Sequence, residues 1–527
     1  MQLTYQKLKP FALSYLTAPL AVFFAGYLRA PFAVAGLAVL AFAWWYAVCK
    51  TPQVKQVGQE EQGITLSVPK LVLLFALMLL WGYLGGQTGF FYQNSDWGYR
   101  NAIYRDLIIN SWPVYYPQKD TALVYYIGHW LVPAALTKPV YALFGLDAAW
   151  MFARMALWGW TALGTYLAAL NLLVYLRADT GKKQAIGLLF LIFFSGMDIL
   201  GALYSSRLPD LLAYDAMHLE WWTNDFQFSS LTTCLFWVFN QTVGAWLATI
   251  CFLQEDDCRN YLLLGTACLM CGPFPFVGLV IFMVVRGIVL LAQRQKGVLQ
   301  SAFSPANVLV LVVVLSITAS YFLANNAFGY SVLGETVAGN QAAQQTFGQN
   351  VLTSLQKGML VFYFGQSVLA SLQKGMLVFY LLDAGIYLLL LWRQNRRSWL
   401  FYTCAVSLFI IPFFKVGQGC DFCMRVSIPA IFILMTLCAR YFIALVGTKW
   451  RDGTLAQHAV TILLAATLLI GACTPAMEIY RGICHIAKEG TFCLENEEPY
   501  TLADRPVSLN FETQNCENKL FFTYFAK

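Results

Sequence analysis

The chain has 527 residues, of which 59% are hydrophobic and 12% are charged, whereas soluble globular domains carry about 25% charged residues. This composition, with a mean hydropathy of +0.59, excludes a soluble globular protein. The formal net charge of +7 does not require a nucleic acid partner, because the lysines and arginines cluster in short connectors, as membrane topology demands.

Apolar runs of about 18 residues or more recur along the chain and predict membrane-spanning segments. Each span must be helical, because lipid offers no hydrogen-bond partner to a free backbone amide. Two shorter stretches, 129–145 and 260–272, predict re-entrant or partly inserted helices. The predicted fold is an all-α polytopic membrane protein, a bundle of about 12–14 transmembrane or re-entrant helices with long outer loops. We expect spans near residues 11–28, 31–49, 70–86, 149–176, 184–203, 231–253, 274–292, 305–323, 376–392, 399–414, 427–446 and 457–473.

Basic residues predict the orientation, because they concentrate in cytoplasmic connectors. One threading places every basic cluster inside, from Lys7 and Lys9 to Lys449 and Arg451, provided that the two shorter stretches add no net crossing. The N-terminus is then cytoplasmic.

The same threading divides the chain into a transmembrane domain, residues 1–473, and an extracytoplasmic C-terminal tail, residues 474–527. Within the first domain it places three segments outside: a first large loop with surface helices, 87–148, a second loop, 204–230, and the segment 324–375. This last segment contains a tandem copy, because Val351–Ser367, VLTSLQKGMLVFYFGQS, is followed directly by VLASLQKGMLVFY. We interpret the copy as a lengthened outer helix.

The first outer loop carries two candidate catalytic acids, Asp96 in Asn94-Ser95-Asp96-Trp97 and Asp106 in Arg105-Asp106-Leu107. Apolar residues recur in this loop at four-residue steps and predict a helix lying flat on the membrane. A carboxylate there could take a proton from an acceptor hydroxyl as a general base. Arg100, one helical turn after Asp96, is a candidate substrate-binding residue. The alternative is a solvated aspartate paired with Arg100, which stabilises little.

The second outer loop combines acids, one histidine and aromatic residues. Such a cluster could hold a divalent cation, Mg²⁺ or Mn²⁺, at a phosphate. Its spacing matches no known metal motif, so an interfacial loop with an aromatic belt is the favoured alternative. The candidate substrate-binding residues are Arg207, Asp210, Asp215 and His218, which lie with Glu220 and Asp225 around Trp221 and Trp222.

Four further candidates lie in spans or at their mouths. Asp198 falls within a predicted span, where an ionisable group usually faces a cavity or a partner. Lys415, Asp421 and Arg425 lie at the outer end of two spans, where an arginine can make a bidentate contact to phosphate. The alternative for the last two is a surface pair one helical turn apart.

The layout resembles the GT-C superfamily of integral-membrane glycosyltransferases, and in particular its protein mannosyltransferase and aminoarabinose transferase branch. The resemblance covers about the first 230 residues in the order of elements. The acidic pair usual in that family is absent here, because Trp97 follows Asp96. The motifs that carry the resemblance are NSDWGYRNAIYRDL, ALVYYIGHWL, LFGLDAAWMFARMAL and SSRLPDLLAYD.

The resemblance implies a GT-C-like bundle that moves a sugar from a polyprenyl-phosphate donor to an acceptor on the outer, periplasmic face, with inversion. It implies that Asp96 matches the catalytic first-loop acid, and that Asp210 or Asp215 matches the second-loop acid. The donor phosphate is expected near Arg425, Lys415 or Arg207. The acceptor is an envelope glycan, a lipid or a protein.

A secondary transporter or flippase of a polar lipid or glycolipid is the main alternative, because it too would have intramembrane acids and broken helices. The largest polar segments gather on one face, however, whereas a transporter needs access from both. The only Asn-x-Ser/Thr sequon, Asn240-Gln241-Thr242, lies inside a predicted span. Outer loops without glycosylation sites favour a bacterial inner membrane.

Overall fold

The structure is a computed structural model that describes residues 1–50, 63–213, 218–326, 375–414, 420–448, 453–489 and 500–527, together with residue 372. These residues are predominantly helical, and their five strands are two or three residues long. Ten of the described helices are long and apolar enough to cross a membrane. The predicted class, an all-α polytopic membrane protein, is confirmed.

The helices differ widely in length, from single turns to α5, which is broken once within its run. In chain order they are α1 (Tyr5–Tyr27), α2 (Ala30–Trp45), α3 (Val68–Leu84), α4 (Trp97–Ile109), α5 (Gly128–Tyr175), α6 (Gly181–Phe193), α7 (Asp198–Tyr204), α8 (Leu208–Leu212), α9 (Leu231–Leu253), α10 (Tyr261–Cys271), α11 (Pro273–Ala292), α12 (Val298–Ala302), α13 (Pro305–Leu323), α14 (Met376–Asn395), α15 (Trp399–Ile410), α16 (Asp421–Val426), α17 (Ile428–Leu445), α18 (Leu455–Gly471) and α19 (Cys473–Glu489). The strands are β1 (Gln2–Leu3), β2 (Ile64–Thr65), β3 (Tyr115–Tyr116), β4 (Thr121–Leu123) and β5 (Glu512–Gln514).

Two predicted boundaries differ from the structure. The stretch 129–145 and the span 149–176 form one helix, α5, with a break at Gly145, whose φ is 79°; this conformation favours glycine. The span expected at 184–203 is interrupted between α6 and α7. There, contacts from α14 replace helical hydrogen bonds: the Met197 amide donates to the Leu382 carbonyl at 3.2 Å, and the Tyr387 hydroxyl donates to the Ser195 carbonyl at 2.7 Å.

Helix α9 lies at the centre of the bundle, packed against α5, α10, α11 and α17, and 94% of its apolar stretch is buried. It is broken at Val238, where φ is −136° and ψ is 36°. The side-chain amides of two first-loop residues bond to carbonyls beside this break: Gln87 Nε2 donates to Leu235 O at 3.2 Å, and Asn94 Nδ2 donates to Phe236 O at 3.1 Å. The first outer loop therefore bonds to α9 about 6–8 Å along the helix from its first residue, Leu231, at 1.5 Å per helical residue.

Helix α4 forms where the sequence predicts it, but it is more enclosed than a helix lying flat on a membrane. It packs against α5 and against the single turn Leu502–Asp504. Most of its side chains are buried, and Tyr99 is the exposed exception among them.

The C-terminal segment 500–527 completes the outer structure. Strand β5 pairs antiparallel with β4, which pairs antiparallel with β3. Glu512, which is buried, pairs with Lys119 at 2.7 Å and accepts a hydrogen bond from the Thr121 hydroxyl at 2.7 Å. The Ser508 amide also donates to its carboxylate, at 3.1 Å. The Glu512 carboxylate thus holds residues 500–527 against the first outer loop.

We expect Glu512→Ala to release this segment, because removing one partner of a buried ion pair costs about 3–5 kcal/mol. The measurement is the rate of trypsin cleavage after Lys519 in the purified full chain, followed by mass spectrometry. The matched control is Glu517→Ala, which removes an exposed acid from the same segment and should cleave at the wild-type rate. Equal cleavage of both variants would contradict the anchoring role of Glu512.

Candidate functional site

Asp96 lies immediately before α4, at the level of the α9 break. Its carboxylate pairs with the Arg100 guanidinium one turn later, at 2.7 Å, and its side chain is 48% exposed. Its backbone amide bonds to Asn94 Oδ1 at 3.1 Å. Because Asn94 is itself bonded to the α9 backbone, the position of Asp96 is set by the bundle. The carboxylate is ordered and still accessible from outside.

Arg100 is buried, and one nitrogen of its guanidinium group is a hydrogen-bond donor without a partner among the described residues. Its guanidinium carbon lies 5.7 Å from the centre of the Phe239 ring and 6.0 Å from that of the Trp97 ring. Its Nη1 atom is buried and has no partner among the described residues. A buried donor without an acceptor is costly, so this nitrogen favours an acceptor-rich ligand.

Arg425, on the short helix α16, supplies a second such donor. Its Nη1 donates to the Tyr126 hydroxyl at 2.6 Å, and its Nη2 pairs with Asp421 at 3.1 Å. Its Nε is buried and lacks a partner in the described part of the chain. Burial acts to lower the pKa of Arg425, but Tyr126, Asp421, Tyr125 and Asp96 act to raise it, with a net upward shift. The group stays charged.

The two arginines converge on one pair of tyrosines. The rings of Tyr125 and Tyr126 lie 3.6 Å apart between centres. Burial raises the pKa of Tyr126, while the guanidinium groups of Arg425 and Arg100 both act to lower it. Asp96, Arg100, Tyr126, Asp421 and Arg425 therefore form one cluster, which we call the arginine pocket.

An apolar groove with a volume of about 530 Å³ is lined in part by α16, the short helix that also carries Asp421 and Arg425 of the arginine pocket. It runs between α11 and α15 and ends at α16, where Phe422 and Val426 adjoin Asp421 and Arg425 in sequence. From Tyr402 to Phe414 it extends roughly 18 Å at 1.5 Å per residue, against about 15 Å for half of a hydrocarbon core of about 30 Å. The lining residues are Val277, Ile281, Val285, Tyr402, Thr403, Val406, Ser407, Ile410, Ile411, Phe414, Phe422 and Val426.

Asp106, the second predicted catalytic acid, is fully buried. One of its oxygens accepts hydrogen bonds from the Tyr116 hydroxyl and the Leu502 amide, both at 2.9 Å. Burial raises the pKa of Asp106, and hydrogen bonds from Thr501, Leu502 and Tyr116 offset only part of the shift. This carboxyl joins α4 to the C-terminal segment and is shielded from solvent, which favours Asp96 as the accessible acid.

The second-loop candidates are not brought together. Arg207 Nη1 donates to the Trp221 carbonyl at 2.6 Å and to Asn224 Oδ1 at 2.9 Å. Asp210 is exposed in the first turn of α8. His218 is buried, with its Nδ1 2.6 Å from Glu478. Asp215 and Lys415 lie outside the described residues.

The residues that the structure describes offer no group of three His, Cys, Asp or Glu side chains arranged to hold a metal ion. The Mg²⁺ or Mn²⁺ expected at the second outer loop stays a prediction, because Asp215 of that cluster lies outside the described residues.

Asp198 belongs to a different buried cluster. It accepts hydrogen bonds from Ser195 at 3.1 Å and from Thr474 at 2.8 Å. Asp383, which the sequence analysis missed, is also buried, and neither of its oxygens has a partner among the described residues. An acid inside the predicted span 376–392 was the available signal for it. Tyr126 was missed as well, although it lies in the ALVYYIGHWL motif.

Comparisons with known proteins add no relative: no family model, curated protein or solved structure matches the chain. The arginine pocket and the groove are therefore the features from which a function is inferred.

We expect Asp106→Asn to be at least as stable as the wild type at pH 7. The raised pKa of Asp106 means that its contribution to stability is complete below pH 3.8, its ordinary value, and is lost as the pH rises through the folded-state pKa. Asparagine keeps an oxygen for Tyr116 and Leu502 and carries no charge. The measurement is the thermal unfolding midpoint in detergent between pH 4 and pH 8. A lower midpoint for the variant at pH 7 would refute this account.

Proposed function

We propose that this integral membrane protein is a glycosyltransferase that moves a sugar from a polyprenyl-phosphate donor to an acceptor at the outer face, with inversion. The observation that carries the proposal is an apolar groove lined partly by α16, the helix that carries Arg425, together with two buried arginine nitrogens that lack partners among the described residues and a half-exposed carboxylate. The acceptor is an envelope glycan, a lipid or a protein. The proposed location is a bacterial inner membrane, with a cytoplasmic N-terminus and residues 474–527 outside.

The groove suits the isoprenoid tail of the donor. Its lining is almost entirely apolar, and its length is comparable with one leaflet of the bilayer. A tail lying along α11 and α15 would place its polar end at α16. The head group would then meet Arg425 without leaving the level of the outer interface.

The arginine pocket suits the phosphate. Arg425 Nε and Arg100 Nη1 are buried donors without partners in the described part of the chain, and guanidinium groups bind phosphate through geometrically matched hydrogen bonds. When the bond from sugar to phosphate breaks, negative charge grows on the leaving phosphate. Positive charge held at that place stabilises the transition state more than the ground state.

Asp96 suits the role of general base. It is exposed enough for an acceptor hydroxyl to reach, and it lies close enough to Arg425 to act on that group electrostatically. In the proposed step, Asp96 takes the proton of the acceptor hydroxyl, whose oxygen bonds to the anomeric carbon as the bond from carbon to phosphate oxygen breaks. The electron pair leaves with the polyprenyl phosphate, so a single displacement inverts the anomeric centre.

A secondary transporter or flippase is the second candidate function. The observation that favours it is the buried, unpartnered Asp383 within α14, because carboxylates inside spans often serve ion or proton pathways. A transporter would not depend on the half-exposed acid of the first loop.

We expect Asp96→Asn to lower sugar transfer by about 10²- to 10⁴-fold while polyprenyl phosphate still binds. The measurements are transfer of radiolabelled sugar and lipid binding by native mass spectrometry, both on the full chain in nanodiscs. Asp106→Asn is the matched control and should retain transfer. Arg425→Ala should lose transfer as well, but unlike Asp96→Asn it should also bind the lipid about ten- to a hundredfold more weakly. If Asp96→Asn transferred sugar at the wild-type rate, Asp96 would not be the base.

We expect Val406→Trp to weaken binding of long-chain polyprenyl phosphates, because the indole fills the groove. Short isoprenyl phosphates, which do not reach Val406, should bind as they do to the wild type. The matched control is Val312→Trp on α13, since both valines are more than half exposed, at 53% and 64%, and only Val406 lines the groove. The comparison is of dissociation constants for two chain lengths. An equal loss for both lengths, or for both variants, would contradict the groove assignment.

A further inference from the structure

Tyr99 is an exposed aromatic residue beside the proposed base. It lies three residues after Asp96 on α4, and its side chain is 43% exposed. One face of its ring stacks on Phe511, with centres 5.1 Å apart and planes at 28°. Tyr500 packs nearly perpendicular to it, with centres 6.1 Å apart and planes at 88°. Phe511 covers one face of the Tyr99 ring, and 43% of the residue stays exposed, so part of the ring is open to a ligand.

Tyr99 is one end of a row of rings that leads to the arginine pocket. Phe511 meets Tyr125 edge to face at 4.9 Å, and Tyr125 lies against Tyr126. Tyr126 in turn accepts the hydrogen bond from Arg425. We call Tyr99, Phe511, Tyr125 and Tyr126 the aromatic wall. The Tyr126 end of the aromatic wall adjoins the proposed phosphate site, and the Tyr99 end is exposed to solvent.

The wall is fixed in place before any ligand arrives. The carbonyl of Phe511 accepts a hydrogen bond from the Val124 amide at 2.9 Å, next to the pairing of β4 with β5. The hydroxyl of Tyr500 lies near the backbone of Gly98, where an added Cβ would be 3.3 Å from it. A ring already packed against its neighbours loses little freedom when a ligand covers its exposed part, so its contact area is available at low entropic cost.

We propose that the aromatic wall binds the acceptor as a sugar ring, with the exposed part of the Tyr99 ring packed on the C–H face of a pyranose. This inference rests on the proposed transferase function and names its acceptor class. A pyranose has one apolar C–H face and a rim of hydroxyls. The negative face of an aromatic ring attracts the C–H face, while the Asp96 carboxylate and the Arg100 guanidinium can form hydrogen bonds with the hydroxyls. A sugar stacked on Tyr99 would therefore present a hydroxyl to Asp96.

The chain offers a matched control in Tyr115 on β3. Its side chain is 40% exposed, and its ring packs on Phe522 of the same C-terminal segment at 5.7 Å. Unlike Tyr99, Tyr115 lies on β3 and not beside Asp96. A general effect of losing an exposed tyrosine would appear equally in both variants.

The test uses the full chain in nanodiscs and saturation-transfer difference NMR, with selective irradiation of aromatic protons. The probes are methyl glycosides of common hexoses, as the soluble arm, and hexyl glycosides of the same sugars, as the lipid-linked arm. We expect saturation to appear on the pyranose C–H protons. It should fall about fivefold or more in Tyr99→Ala and stay within about twofold in Tyr99→Phe and Tyr115→Ala.

The possible results distinguish a lipid-linked acceptor, a soluble glycan and a protein acceptor. A Tyr99-dependent signal that is stronger for hexyl glycosides supports a lipid-linked acceptor, and equal signals support a soluble glycan. No pyranose signal in the wild type, or an undiminished signal in Tyr99→Ala, would overturn it. A Tyr99-dependent signal from a serine-containing peptide alone would overturn it in favour of a protein acceptor.

Binding of polyprenyl phosphate is measured on the same samples. Wild-type lipid affinity in Tyr99→Ala shows that this variant is folded. It also separates the two hypotheses. Lipid binding without a sugar signal would refute the acceptor site alone, whereas a sugar signal without lipid binding would refute the transferase.

Discussion

The break of α9 at Val238 is the feature on which the outer structure depends. A regular helix uses its carbonyls internally, but beside this break two of them accept hydrogen bonds from Gln87 and Asn94. The first outer loop is thereby attached to the most buried helix of the bundle. Together with the packing of α4 against α5, that attachment fixes Asp96 and Arg100 relative to the bundle.

The electrostatic balance of the arginine pocket follows from the same arrangement. Each arginine has its own acid one turn away, because Arg100 pairs with Asp96 and Arg425 pairs with Asp421. Formal charge is therefore nearly balanced, yet one guanidinium nitrogen on each side remains without an acceptor. In the proposed reaction, a phosphate would use these remaining donors and compete with Asp96 for Arg100. Binding of the donor would then loosen the ion pair of the base and leave that carboxylate a better proton acceptor.

Local features were predictable from sequence, and long-range ones were not. The span at 231–253 matches α9 in both bounds, because hydropathy is a property of consecutive residues. The Asp96–Arg100 and Asp421–Arg425 spacings follow directly from helical periodicity. The contact between Arg425 and Tyr126 joins residues 299 positions apart, and no periodicity links them. The break at Val238 is marked by no glycine or proline in the sequence, and the residues that bond beside it, Gln87 and Asn94, come from a distant loop.

The burial of Asp106 shows the same limit for site prediction. In sequence it stands in the same loop as Asp96 and has the same chemistry. What separates the two is Leu502, whose amide occupies the Asp106 carboxylate, and that residue comes from the far end of the chain. A sequence pattern can name two candidate acids, but only tertiary contacts decide which one meets solvent.

The pairing of β5 with β4 has a consequence for biogenesis. Phe511 and Tyr500 follow every membrane span in the order of synthesis, yet they pack against a helix that is made among the first hundred or so residues. The ribosome must therefore deliver every described span before residues 500–527 can pack around Asp96 and Tyr99. A nascent chain that ends before Phe511 would carry the acidic loop without this cover, so the proposed transfer would have to wait for the end of synthesis.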